Sequence, residues 1–473
     1  MAKSATQQVR THGRRVVVIG LDSVPPDLLF DRFLPEMPNL KALMQRGVWG
    51  TLRTTDPPIT IPAWAVMFSG VDPGTLGLYG FRHRRPGTYF DEYTPSPKLL
   101  AEPALWSILS RDGYRVCVIG MPPGYPPPTV NGVYVSDILT PDHATDTATP
   151  PAMVEELRKV APGYTFDITF RAEDRERISK ELFTMTQARF ALARHLLQKE
   201  PWDLFAIHEI GPDRLHHAFW KYFDSRHPRH VPGSPFADLA RRYYRLMDEE
   251  IGKLVALVGP ETSVLIASDH GSQGMSGCFC INEWLIQKGY LVLQTPPKAP
   301  GLRLEQAQVD WRRTTAWGAG GYYARINFNV AGREPNGIVA PDDVPQLIER
   351  LTRELGAVTK PDGRPLGVKV HDPKVLYRNV RGDPPDLMLY FGDVDWRSAG
   401  TLGHGRLFLE ENDTGPDDAV HSFEGIYLFL GGSKPGGRHG LERAIIDVAP
   451  TLMRTLGLDV PATMQGRPIE DWL

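Results

Sequence analysis

Five short, continuous apolar runs constrain this chain more than any other feature: Arg15 to Gly20 (RVVVIG), Tyr114 to Gly120 (YRVCVIG), Trp202 to His208 (WDLFAIH), Thr262 to Ser268 (TSVLIAS) and Gly425 to Leu430 (GIYLFL). A β-rich run with no polar alternation has to be buried on both faces, the condition of a strand inside a sheet covered on both sides. Segments with helical periodicity separate the runs. The alternation predicts an α/β fold, a mostly parallel sheet sandwiched by helices.

At 473 residues the chain exceeds what one hydrophobic core usually spans, so a second lobe is expected. Two stretches break the alternation. Met121 to Gly163 opens with MPPGYPPPTVNG and reads as a long extended loop over the core. From about Gly274 to Thr414 the pattern is mixed, with GYYARINFNVAG resembling a strand pair. The division predicted is a catalytic core of residues 13–273 and 412–473, with an inserted lid or cap lobe over 274–411.

A net charge of -3 with dispersed Lys and Arg gives no general attraction for duplex nucleic acid or anionic membranes. The opening MAKSATQQVRTHGRR is polar and basic with no apolar stretch behind it, and no run reaches membrane-spanning length. Cysteine is confined to Cys117, Cys278 and Cys280, an odd number that fits a reducing compartment. These observations predict a cytoplasmic enzyme of unspecified oligomeric state.

In a sheet of this kind ligands bind beyond the carboxyl ends of the strands. Those positions are rich in Asp and His: Asp22, Asp213 and His217, Asp269 and His270, and His421 before the last run. Carboxylate and neutral imidazole are the donors that hard or borderline divalent ions take. In Asp213-Arg-Leu-His-His217 the i, i+4 spacing aims both side chains at one ion if the segment is helical, with His216 pointing elsewhere.

Several motifs in the same chain order resemble the alkaline phosphatase superfamily, in particular its type I phosphodiesterase/nucleotide pyrophosphatase branch. They are IGLDSVPPDLL, PNLKALMQRGVWG, PPITIPAWAVMFSGVDPG, PDRLHHAFW, IASDHGS, HSFEGIYLFLGG and IIDVAPTLMRTLGL. The resemblance covers Arg15 to Gly274 and Asp417 to Leu473 and leaves the inserted lobe outside. It implies two divalent ions, zinc or manganese, one held by Asp22, Asp269, His270 and the Thr60 hydroxyl, the other by Asp213, His217 and His421. It also implies Thr60 as the nucleophile of a phosphothreonine route. Preceding Ile61-Pro62, Thr60 can also be a helix N-cap, and a helix N-terminus is itself a phosphate site.

The same stretch separates relatives. Sulfatases carry C-x-P-x-R, whereas here Thr60, Pro62 and Trp64 stand at those positions. In the diesterases an asparagine following P-x-x-H-G contacts a phosphate oxygen; Leu76 and Phe81 occupy the histidine and asparagine positions here, with Arg82 and His83 as neighbouring substitutes. The expected activity is hydrolysis of a phosphorylated small molecule or nucleotide diester. The alternatives are a phosphomutase or phosphomonoesterase of the superfamily, and a non-catalytic phosphate binder.

Overall fold

The computed structural model describes residues 13–431 and 436–473; the N-terminal residues on which the leader reading rests lie mostly outside them. The central sheet has ten strands. Its order is Arg438–His439, Val48–Arg53, Glu424–Leu430, Thr262–Ala267, Arg15–Leu21, Leu204–Glu209, Val116–Ile119, Gly132–Val135 and Ala148–Thr149, with Arg443–Ala444 also pairing on Val48–Arg53. Arg15–Leu21 runs parallel to both neighbours, in register Val17 with Phe205 and with Val264.

Alternate residues of the first strand feed opposite cores, as expected for a strand covered on both faces. Val17 and Ile19 pack with Leu28, Leu182 and Tyr244 on one side. Val16 and Val18 pack with Trp64, Phe68 and Leu452 on the other. Each fully buried side chain of this size contributes about 1.5–3 kcal/mol of transfer free energy.

The parallel strands end together, so Asp22, Glu209 and Ser268 emerge at one edge. Glu424–Leu430 runs antiparallel to both Thr262–Ala267 and Val48–Arg53. Its beginning therefore lies at that same edge, as does the end of Val48–Arg53. The chain then brings His421 and Thr60 to the strand ends occupied by Asp22 and Asp269.

Two sequence expectations need correction. Met121 to Gly163 is not a long loop: Gly132–Val135 joins the central sheet parallel to Val116–Ile119, and Ala152–Val160 is a helix. Four residues of GVYV lie below the length at which a buried strand stands out from a proline-rich neighbourhood. The segment GYYARINFNVAG is not a strand pair either. It supplies one strand, Ala324–Phe328, whose antiparallel partners are Ala316–Ala319 before it and Leu387–Tyr390 far beyond it.

Within residues 274–411 these strands and Lys369–His371 form a four-stranded sheet with its own apolar cluster, including Trp284, Ile326, Leu351 and Leu389. The chain enters this region through Gly271–Gly274 and returns through Ala419–Ser422. The two segments pair antiparallel, with Ser272 opposite His421. Among the described residues no helix is long and apolar enough to cross a membrane.

Candidate active site

Thr60 opens the helix Thr60–Ser69, every residue of which is buried. Ile59 is extended at the N-cap position and Gly70, at φ 69°, closes the helix in the left-handed conformation that glycine adopts at low cost. The Thr60 side chain caps nothing, which corrects the N-cap expectation: it stands one position inside the helix, and its Oγ1 lies 3.3 Å from His270 Nε2.

Asp22 follows the first strand, and Ser23 after it holds φ 65°, a left-handed conformation costly for a residue with a Cβ. That turn aims the Ser23 N–H at Asp269 Oδ1, 3.2 Å away. Asp213 and His217 lie one turn apart on the helix Gly211–Phe223, with His217 Nε2 3.2 Å from Asp213 Oδ1. His421 Nε2 is 3.5 Å from the same oxygen and 3.3 Å from His217 Nε2. His270 joins the two halves: its Nε2 is 3.2 Å from Asp269 Oδ2 and 3.6 Å from Asp22 Oδ1, and its ring stacks on His421 at 3.9 Å. The structure thus brings all seven singled-out residues together. His216 is turned away, onto Ser272 Oγ and the Tyr244 hydroxyl, both at 3.0 Å.

Each carboxylate engages the protein with one oxygen and leaves the other buried without a hydrogen-bond partner. Asp22 Oδ2 accepts from Trp64 Nε1 at 2.9 Å and faces His208 Nε2 at 2.8 Å, Asp213 Oδ2 accepts from Arg214, and Asp269 Oδ1 accepts from Ser23. Asp22 Oδ1, Asp213 Oδ1 and Asp269 Oδ2 have no such partner. The histidines repeat the pattern. Their Nδ1 atoms face Asp417 Oδ1 at 2.6 Å, the Gly271 carbonyl at 3.0 Å and the Pro58 carbonyl at 2.8 Å, which leaves every Nε2 toward the cluster. Outer partners that fix one atom of a donor while the other faces inward are what a metal site requires.

Ligand atoms of Asp22, Asp269 and His270 lie within 4.8 Å of one another, as do those of Asp213, His270 and His421. Burial first, then the charge of Asp22, raises the Asp269 carboxyl well above its ordinary range, a crowding of negative groups that a cation relieves. Burial drives His270 down to about 3, and so to the neutral imidazole that binds a metal ion. Asp213 goes the other way. Burial opposes its ionisation, but His217 and Arg214 outweigh that and hold it well below the usual carboxylate range.

Sequence reasoning missed the supporting groups. Gly20 leaves no room for a Cβ because the Trp64 indole packs against it on the way to Asp22, so Trp64 serves that carboxylate. Asp417 holds His217 and accepts from Arg171 Nε at 2.9 Å and Arg397 Nη1 at 2.7 Å. Arg214 forks onto Asp167 at 2.7 and 2.6 Å. Of the proposed substitutes near Phe81, His83 is buried and accepts from the Tyr79 N–H at 2.8 Å, and Arg82 lies on the wall of a cavity of about 610 Å³. That cavity opens beside Ile59 and Tyr322 and is also lined by Phe81, Arg171, Arg214, Trp317 and Arg397.

The class is that of the phosphoric ester hydrolases, in a family whose members are typically metal-dependent. The sequence profile of the family type I phosphodiesterase/nucleotide pyrophosphatase matches residues 16–427, through the inserted region that the motifs left outside. The chain belongs to that family and is a phosphohydrolase of phosphodiesterase/pyrophosphatase type.

No curated protein matches the chain by sequence. Among solved structures, human ectonucleotide pyrophosphatase/phosphodiesterase 5 is similar with a TM-score of 0.58 at 13% identity, covering 97% of this chain and 100% of that one. The murine counterpart, in an inactive threonine-to-alanine form in complex with AMP, gives 0.56 at 13% identity with the same coverage. Phosphonoacetate hydrolase from Sinorhizobium meliloti, in complex with phosphonoformate, gives 0.60 at 15% identity, covering 94% and 95% of the two chains. At these identities the likeness is one of fold.

Proposed function

We propose that the protein is a two-metal phosphodiesterase in which Thr60 is the nucleophile and residues 274–411 form a lobe that closes over the substrate. The observation that carries this reading is the set of inward-facing, unpartnered oxygens of Asp22, Asp213 and Asp269 beside the Thr60 hydroxyl. Asp22, Asp269, His270 and Thr60 would hold one divalent ion and Asp213, His217 and His421 the other, zinc or manganese. When bound, such a pair supplies Lewis-acid polarisation of the phosphate and lowers the pKa of a coordinated hydroxyl or water.

The chain's own residues do the rest. The Thr60 proton passes to solvent and its Oγ1 attacks phosphorus; the Oγ1–P bond forms as the bond to the departing ester oxygen breaks, and that oxygen is protonated from water. Water then attacks the same phosphorus, the Oγ1–P bond breaks, and Thr60 is restored. The free N–H groups in the first turn of Thr60–Ser69 and the positive end of that helix attract the phosphoryl group. Three free, buried cysteines accord with the cytoplasmic setting that belongs to this reading.

The charge of the ligand set alone matches a diester. Two divalent ions against the carboxylates of Asp22, Asp213 and Asp269, with neutral imidazoles, leave about one positive charge, which a diester's single negative charge matches. Of the nearby arginines, Arg214 is matched by Asp167, whereas Arg171 and Arg397 share the single charge of Asp417, so about one further positive charge stands on the wall outside the ligand set. Metal-stripped and reloaded protein is expected to show a higher kcat/KM for bis-(p-nitrophenyl) phosphate than for p-nitrophenyl phosphate in matched buffer. Preference for the monoester would defeat the diesterase assignment.

A further inference from the structure

The position that carries a phosphate-contacting amide in the diesterases holds Phe81 here, and the inserted region brings a different donor to the cluster. Tyr322 lies just before the strand Ala324–Phe328. Its ring stacks on His421 with centroids 3.8 Å apart and planes 25° from parallel, and its hydroxyl lies 3.2 Å from His217 Nε2. Arg171 Nη2 donates to that hydroxyl at 3.0 Å, and the Arg397 guanidinium lies 4.3 Å over the ring centre. Both arginines are fixed in turn on Asp417 Oδ2, at 2.9 and 2.7 Å.

This arrangement directs the phenol. A guanidinium that donates to the oxygen occupies one of its lone pairs, so the hydroxyl hydrogen is the group left to give. It is given on the side of His217 Nε2, which lies 3.3 Å from His421 Nε2 and 3.2 Å from Asp213 Oδ1, the donors beside which a phosphoryl group attacked by Thr60 would bind. Stacking and cation–π contact fix the ring without needing the hydroxyl.

We propose that Tyr322 is a catalytic residue, its O–H donating to a non-bridging phosphoryl oxygen as charge builds there, with Arg171 and Arg397 as the positioning residues that hold it. The inference rests on the phosphoryl-transfer reading above and adds the contact that reading lacks. A preorganised donor of this kind strengthens in the transition state more than in the bound substrate.

The test is Tyr322→Phe, which keeps the stacked ring and removes only the hydroxyl. Four readouts are taken on metal-reloaded protein: bound metal, the inhibition constant for orthovanadate, whose five-coordinate form mimics the transition state, kcat and KM on methyl p-nitrophenyl phosphate, and kcat on the separate Rp and Sp isomers of its phosphorothioate. The expected result is unchanged metal content, about tenfold or greater weakening of vanadate, and a kcat on the oxygen ester lowered on the order of 100-fold with KM little changed. The penalty should be markedly smaller for one sulfur isomer, because sulfur accepts the phenol's hydrogen bond poorly.

Unchanged vanadate affinity, equal losses on both sulfur isomers, or a kcat deficit explained by lost metal would each overturn the proposal. Failure of the underlying reading looks different. In that case the reloaded wild type itself would hydrolyse neither ester and would not bind vanadate, and the proposal would fall with it.

Discussion

Replacing Asp417 with Asn changes one charge and almost no volume, at the point where Arg397, within residues 274–411, is tied to the Asp and His cluster. The carboxylate is fully buried and accepts from His217 Nδ1, Arg171 Nε and Arg397 Nη1 at once. Burial alone would raise its pKa, but His217, Arg397 and Arg171 hold it far below the carboxylate range, so it is ionised at every working pH. The amide retains one acceptor oxygen and leaves two guanidinium groups facing a neutral side chain.

Breaking a buried pair in this way costs about 3–5 kcal/mol. Unfolding entropy is about 2.1 cal/mol/K per residue, so a chain of this length loses about 1 °C of Tm per kcal/mol, an expected drop of about 3–5 °C. Loss of the partner that fixes the His217 tautomer weakens metal binding by about 10- to 100-fold. Thermal unfolding with and without metal, together with titration against a competing chelator, measures both numbers. A variant with Tm within 1 °C of wild type and unchanged metal affinity would refute the reasoning, because Asp417 would then be neither a counterion nor an outer partner.

Thr60→Ala is expected to abolish turnover while leaving Tm and most of the metal content intact, since the side chain caps no backbone group and the carboxylates and imidazoles remain; activity within about tenfold of wild type excludes the nucleophile role. Asp137, buried beneath the proline-rich segment, gives a pH prediction. Burial raises its carboxyl to about 7, against the opposing hydrogen bonds from the Leu139 and Gly124 N–H groups. A folded pKa above the unfolded one means stability that is full below about pH 4 and lost as pH rises through about 7, worth about 4 kcal/mol. Tm should therefore fall by a few degrees between pH 5 and 8, and Asp137→Asn should flatten that decline; parallel Tm profiles for the two proteins would contradict it.

The strands and their edge were legible because a buried strand must be apolar throughout, while the residue that follows it is free to carry chemistry. Asp22 and Asp269 stand in such places, and Asp213 lies in the first turn of the helix that follows the strand Leu204–Glu209. The direction of Glu424–Leu430 was not legible, since an apolar run reads alike in either sense, and only its antiparallel pairing carries His421 to the correct edge. His208 carried a signal that went unused: a histidine closing the buried run WDLFAIH needs a polar partner, and Asp22 is that partner. Asp417 and Tyr322 gave less. They lie 200 and 105 residues from the histidine they contact, and no local pattern links positions whose proximity comes from the return of the chain through the inserted region.

The central claim, two successive displacements at phosphorus through Thr60, is tested most directly by stereochemistry. A phosphorothioate diester of known configuration, hydrolysed by the metal-loaded enzyme in ¹⁸O-enriched water, gives a chiral product whose configuration can be read by phosphorus NMR after derivatisation. Each in-line step inverts the centre, so attack by Thr60 followed by water predicts net retention. Net inversion would mean that water attacks the ester directly, and would contradict the account.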